Sequence, residues 1–162
     1  MEMFPHKIEI AVFVTAFMPD TQHPPSFILE QFGVRMPEGG KDYWLDTESK
    51  CIGDDPKEAL TTMLFGHNSY PSFTTYLQPR TSSLFLHDLW KQEKKFSKEK
   101  YGSVRCVYVV CEEDRGIPQD FQRWMIENYG LKEVKELKGS DHMPMLSIPK
   151  QLSDCLLEIT HQ

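Results

Sequence analysis

Asp114 and His142 are the two side chains in this sequence whose types and placement suit acid–base chemistry. Asp114 follows the apolar run Val107-Tyr108-Val109-Val110, which has the length and β-branching of a buried strand. It stands in a turn marked by Gly116 and Pro118. His142 follows a second strand predicted over Val134–Leu137, in the stretch Gly139-Ser140-Asp141-His142. Between the two strands Phe121, Trp124, Met125 and Tyr129 recur at helical spacing, with Gly130 placed as a C-cap. The two loops thus follow successive strands of one sheet, at the rim where α/β proteins bind ligands. An aspartate that accepts a hydrogen bond from one ring nitrogen fixes the tautomer and orientation a histidine needs as general base. Such a pair is two-thirds of a nucleophilic triad. Asp–His pairs also serve purely structural ends, so the pair alone does not name a reaction.

No obvious nucleophile completes it. Ser103 and Ser140 neighbour the relevant strands, but neither sits in a strand-to-helix elbow, and Ser140 is close enough to His142 for its hydroxyl to be used by the local turn. Cys111 lies near Asp114, where a small apolar residue finishing a buried strand is the simpler reading. Asp141 is expected to brace its own loop. His6, His23, His67, His87 and His161 show no metal-ligand spacing and read as ordinary surface or loop residues; no metal and no cofactor is expected.

The elements that must position the pair emerge from the rest of the chain. Ile8–Phe17 is nearly continuous apolar sequence closed by Met18-Pro19-Asp20, which predicts a strand buried on both faces. Pro24-Pro25-Ser26 opens a short helix carrying Phe27, Ile28, Leu29 and Phe32. Through residue 81 the pattern is loose, with Gly and Pro breaks and no repeat, as expected of a cap-like insertion over about 21–81. Ser82–Lys95 predicts a helix that ends in a mixed-charge run through Lys100, a solvated stretch rather than a basic docking patch. Leu152, Cys155, Leu156 and Ile159 form one face of a closing helix over Gln151–His161. Strands alternating with helices imply a parallel sheet with helical crossovers, and the fold class is α/β.

Composition narrows the function classes. A chain of 162 residues, 40% hydrophobic and 12% aromatic, is enough for one domain with a core. Its net charge of −6 argues against nucleic acid and anionic membrane as partners, since both reward a basic surface. Cys51, Cys106, Cys111 and Cys155 show no metal-type pairing, and Cys106 and Cys111 face opposite sides of a regular strand, so reduced thiols are expected. No leader, bilayer-length apolar run or lipidation signal is visible, which makes the cytoplasm the default location.

The runs Thr15-Ala16-Phe17-Met18-Pro19-Asp20, Ser82-Ser83-Leu84-Phe85, Tyr101-Gly102-Ser103-Val104, Cys111-Glu112-Glu113-Asp114, Ile117-Pro118, Phe121-Gln122-Arg123-Trp124 and Asp141-His142-Met143 closely resemble the plant methylesterases. These belong to the α/β-hydrolase superfamily beside hydroxynitrile lyases and salicylate-binding esterases. The resemblance covers essentially the whole chain, in order. It implies hydrolysis of small methyl esters such as those of salicylate, jasmonate or indole-3-acetate. It also implies Asp114 and His142 as acid and base of the triad, with Trp44 as a cap residue lining the acyl pocket. Met143 stands where the resembling lyases carry a lysine, which favours the esterase branch.

Two departures shape the expectation. The family's nucleophile sits in a Gly-x-Ser-x-Gly elbow, and no such pentapeptide occurs in these 162 residues. Met1–Ile8 resembles the end of the helix that follows the elbow, so the chain is expected to be an N-terminally truncated, inactive member. Losing a triad nucleophile removes on the order of 10⁶-fold in rate. The stretch His67–Arg80 also looks shortened or rewritten relative to the family's cap. Two other expectations stand beside inactivity: an active esterase whose nucleophile comes from a separate or missing N-terminal segment, and a non-catalytic binder of a small hydrophobic ester or acid around Trp44, His142 and Met143. The Ile8–Phe17 strand would then be an open apolar sheet edge that invites a homodimer.

Overall fold

The computed structural model describes residues 1–35 and 94–161. In chain order the elements are β1 (Ile10–Val14), α1 (Ser26–Arg35), β2 (Arg105–Cys111), α2 (Gln119–Tyr129), β3 (Val134–Leu137), α3 (Pro144–Ser147) and α4 (Pro149–Thr160). The strands form one parallel sheet in the order β1-β2-β3. Ile10 pairs with Arg105 and Val14 with Val109, while Tyr108 pairs with Val134 and Cys111 with Leu137.

β2 is central and buried from Cys106 onward, and its pleat sorts its side chains between two cores. Cys106, Tyr108 and Val110 face Met18, Ile28, Phe32, Phe121, Met125 and Ile126, so α1 and α2 cover one side. Val107, Val109 and Cys111 face Leu137 and Ile159, so α4 covers the other. This is the α/β layering expected from the alternation of strands and helices. The pleat also separates Cys106 from Cys111, and Cys106, Cys111 and Cys155 are free thiols.

β1 departs from its expectation in length and burial. It spans five residues, all half-buried, rather than a strand buried on both faces from Ile8 to Phe17. Among the described residues it is paired along one edge only, which accounts for the partial burial. Thr15, at φ 45°, turns the backbone out of extended geometry directly after Val14. Tyr108 fixes the departing chain by donating its hydroxyl to the Ala16 carbonyl at 2.9 Å. At the other end, the Glu2 carboxylate accepts hydrogen bonds from Ser97 (backbone and hydroxyl) and from the Tyr101 amide, joining the first residues to the turn that leads into β2.

The remaining elements fall close to their predicted positions. α1 starts at Ser26, just after the two prolines. Gly130 ends α2 in the left-handed region at φ 75°, where a glycine meets no side-chain penalty. The closing helix begins at Pro149, earlier than predicted, because a proline at the first position suits a helix start. A separate single turn, α3, lies before it, too short for periodicity to show. Of the helix predicted over Ser82–Lys95, Lys94 and Lys95 are irregular and exposed, and the rest lies outside the described residues. Lys98-Glu99-Lys100 is an exposed turn, in keeping with a solvated charge run. No helix among the described residues is long and apolar enough to cross a membrane.

Candidate active site

The β2–α2 turn is built to present one carboxylate. Asp114 is buried, and its Oδ1 accepts the backbone N–H groups of Gly116 at 2.7 Å and Ile117 at 2.8 Å. The aspartate thereby folds its own loop, as short polar side chains do in Asx turns. Its outer face meets His142, whose Nδ1 lies 3.0 Å from both carboxylate oxygens. An ionised carboxylate can only accept, so in this contact Nδ1 is the donor and the Nδ1–H tautomer is the one the geometry selects. The imidazole is half-buried, with 17% of its side chain exposed, and its hydrogen bonds to the described residues both run through Nδ1.

The loop after β3 is braced separately. Asp141 accepts the Met143 amide at 2.8 Å and the Ser147 hydroxyl at 2.9 Å, tying His142 to the first turn of α3. The Ser140 side chain is buried and its hydroxyl donates to the Asp141 carbonyl at 3.1 Å, so it is consumed by the turn. Burial pushes the Cys111 thiol up to about 11, against a hydrogen bond with Ser140 that lowers it, and the charges of Asp114 and Asp141 add to the rise. A fully buried thiol held protonated at neutral pH is no nucleophile, which leaves Cys111 as the end of a core strand. Burial also raises the Tyr108 phenol, with the nearby Asp114 charge adding to it.

Of the residues singled out in the sequence, the structure brings Asp114 and His142 together. Met143 is half-buried immediately beyond them, and Trp44 lies outside the described residues, as do His67 and His87. Among the described residues no cluster of three His, Cys, Asp or Glu side chains could hold a metal.

Three features are not foreseen from the sequence. Gln122 is fully buried and bonded to both ends of the Asp114 turn; a lone amide on the apolar stripe of α2 is its only signal. Gly116 packs face to face with the His142 ring. His23, expected as an ordinary loop residue, instead pairs through Nδ1 with buried Asp20 at 2.7 Å and stacks on Phe27 at 4.0 Å between ring centres. The i, i+3 spacing of Asp20 and His23 after a strand is the available clue. Asp20 also accepts Asn128 of α2 at 2.6 Å, so this second pair joins the β1–α1 turn to α2.

Residues 4–154 match the family model described as "Alpha/beta hydrolase family". The chain is 47% identical over 173 residues to salicylic acid-binding protein 2 of Nicotiana tabacum, an alignment that covers all of this chain and 65% of the tobacco protein. It is 45% identical over 170 residues to methylesterase 1 of Arabidopsis thaliana, covering 98% of this chain and 62% of that protein. Among solved structures, a mutant of polyneuridine aldehyde esterase superposes with a TM-score of 0.81 at 35% identity, over 98% of this chain and 65% of that one. The chain thus spans somewhat less than two-thirds of the length of the relatives it matches. With the parallel sheet and flanking helices in place and the family match running over nearly every residue, the chain belongs to the alpha/beta hydrolase family, and the relatives it resembles there are plant methylesterases.

Proposed function

We propose that this chain carries the acid–base half of a carboxylic-ester hydrolase site for small apolar methyl esters, of which methyl salicylate is the first candidate. The supporting observation is the Asp114–His142 pair: Nδ1 donating to a buried carboxylate, with both residues on loops at the carboxyl rim of a parallel sheet. In such a site His142 Nε2 takes the proton of an attacking serine hydroxyl as the new C–O bond forms. Asp114 holds the ring and stabilises the imidazolium. The same proton passes to the departing methoxide when the ester bond breaks, and water repeats the sequence to release the acid. Trp44 and Met143 are proposed to line the acyl side of the cleft.

These 162 residues contain no Gly-x-Ser-x-Gly, so the chain alone is proposed to be catalytically silent. The purified chain should show no methyl salicylate hydrolysis above buffer. Mixing it with an amino-terminal segment of the tobacco relative should produce hydrolysis that His142→Ala and Asp114→Asn both abolish. A demonstrably folded mixture that stays silent, or activity that survives His142→Ala, sinks the proposal. The intact geometry of the pair favours this complemented reading over simple decay.

A further inference from the structure

We propose that Gln122 is a positioning residue for the Asp114–His142 pair, acting as a surrogate strand for the end of β2. The need arises from β1. Continued pairing beyond Val14–Val109 would place Ala16 opposite Cys111, but Thr15 turns the chain away. The Tyr108 and Glu112 amides donate toward β3, to Glu133 and Leu137. Backbone groups alternate sides along a strand, so those of Cys111 point toward the vacated side. The Cys111 carbonyl has the Asp114 amide within reach at 3.4 Å, but the Cys111 N–H, left unpaired in a buried strand, would cost roughly 1–3 kcal/mol.

Gln122 reaches back from α2 and satisfies both. Its Oε1 accepts the Cys111 N–H at 3.0 Å, and its Nε2 donates to the Cys111 carbonyl at 3.0 Å. Nε2 also donates to the Ile117 carbonyl at 2.7 Å and approaches Asp114 Oδ2 at 3.4 Å. One fully buried carboxamide therefore grips the turn at its first residue, Cys111, and at its last, Ile117, and touches the carboxylate suspended between them. β1 can diverge at the carboxyl rim, opening the sheet beside the pair, without orphaning the backbone of β2. Through Asp114, the amide decides whether His142 keeps its proton on Nδ1.

The inference rests on the hydrolase reading for its purpose but not for its test. In the full chain, with ring nitrogens labelled and the pH high enough for a neutral imidazole, ¹⁵N spectra report which nitrogen of His142 is protonated. The parent chain should show the Nδ1–H form. Gln122→Met keeps the apolar volume and removes all four contacts; Gln122→Glu keeps an acceptor for the Cys111 N–H and loses the donors. Both should move His142 toward the Nε2–H form favoured by free imidazole, Gln122→Met further. Met125→Ala, a buried truncation on the same helix, should lower stability and leave the His142 signature alone. The proposal is overturned if a folded Gln122 variant retains the parent signature, or if Met125→Ala shifts it equally. Should Gln122→Met not fold, Gln122→Glu alone decides the matter. Loss of the signature in the variants together with no hydrolysis by the complemented parent chain would sustain the positioning role and sink the hydrolase reading; hydrolysis by the complemented parent with an unmoved signature in the variants would do the reverse.

Discussion

A Cβ on Gly116 would lie 2.8 Å from Nδ1 of His142 and 3.0 Å from its Cγ, closer than side-chain carbons approach, so the imidazole occupies the space that a side chain at 116 would need. Gly116→Ala should therefore displace the ring from Asp114 while the backbone, which needs no special torsion there, stays as it is. The expected result is a folded chain whose His142 ring signals move and whose complemented activity falls by at least tenfold. Gly130→Ala makes the contrast. Nothing lies within 4 Å of its Cβ, but φ is 75°, so it should cost roughly 1 kcal/mol in urea unfolding and leave His142 untouched. An unmoved His142 in Gly116→Ala would show that the ring has another seat.

Cys111 can be tested directly as a candidate nucleophile. With burial pushing its thiol up to about 11, it should resist iodoacetamide at pH 8 in the native chain and react readily in urea, as read by mass spectrometry. Cys111→Ser should cost about 1–3 kcal/mol, because it buries a hydroxyl at the end of a core strand, and should create no esterase activity. Rapid native alkylation would put Cys111 back among the candidates.

Asp20 should govern the acid limb of the stability curve. Burial pushes its carboxyl up, but hydrogen bonds from the His23 side chain and amide, the Gln22 amide and Asn128 outweigh it and hold the group below its ordinary value of 3.8. A carboxylate depressed in the folded state stabilises at pH values above its unfolded pKa, and that contribution fades as pH falls through the folded one. Asp20→Asn should thus cost about 2 kcal/mol at pH 7, from the lost charge-assisted hydrogen bonds, and the gap to the parent should narrow below about pH 4. Urea titrations across pH provide the check; a gap unchanged at pH 2 would contradict it.

Periodicity and residue type are enough to reveal β2, α2, β3 and α1, because each is governed by local apolar spacing, and α1, α2 and β3 also have a Gly or Pro close to one end. The Asp114 turn is legible for the same reason: its Gly and Pro stand beside the acid. β1 reads too long because Ala16-Phe17 is as apolar as the strand before it, and only the torsion at Thr15 shows where the pairing stops. Gln122 and the Asp20–His23–Asn128 cluster are not legible as partners, since each gains its meaning from residues on a different element. Gly116 looks like punctuation; its steric role exists only once His142 arrives from the loop beyond β3.

The tether between Tyr108 and Ala16 joins positions 92 residues apart, whereas the Asp114–His142 contact closes over 28. Closing the longer loop costs about 1 kcal/mol more in chain entropy, so β2, α2, β3 and α4 are expected to condense first and to receive β1 last. The carboxylate and imidazole would then find each other before the sheet acquires its third strand. Amide exchange should show Ile10–Val14 opening at a lower free energy than Val107–Val110; equal protection along both strands would mean that they lock together in a single cooperative step.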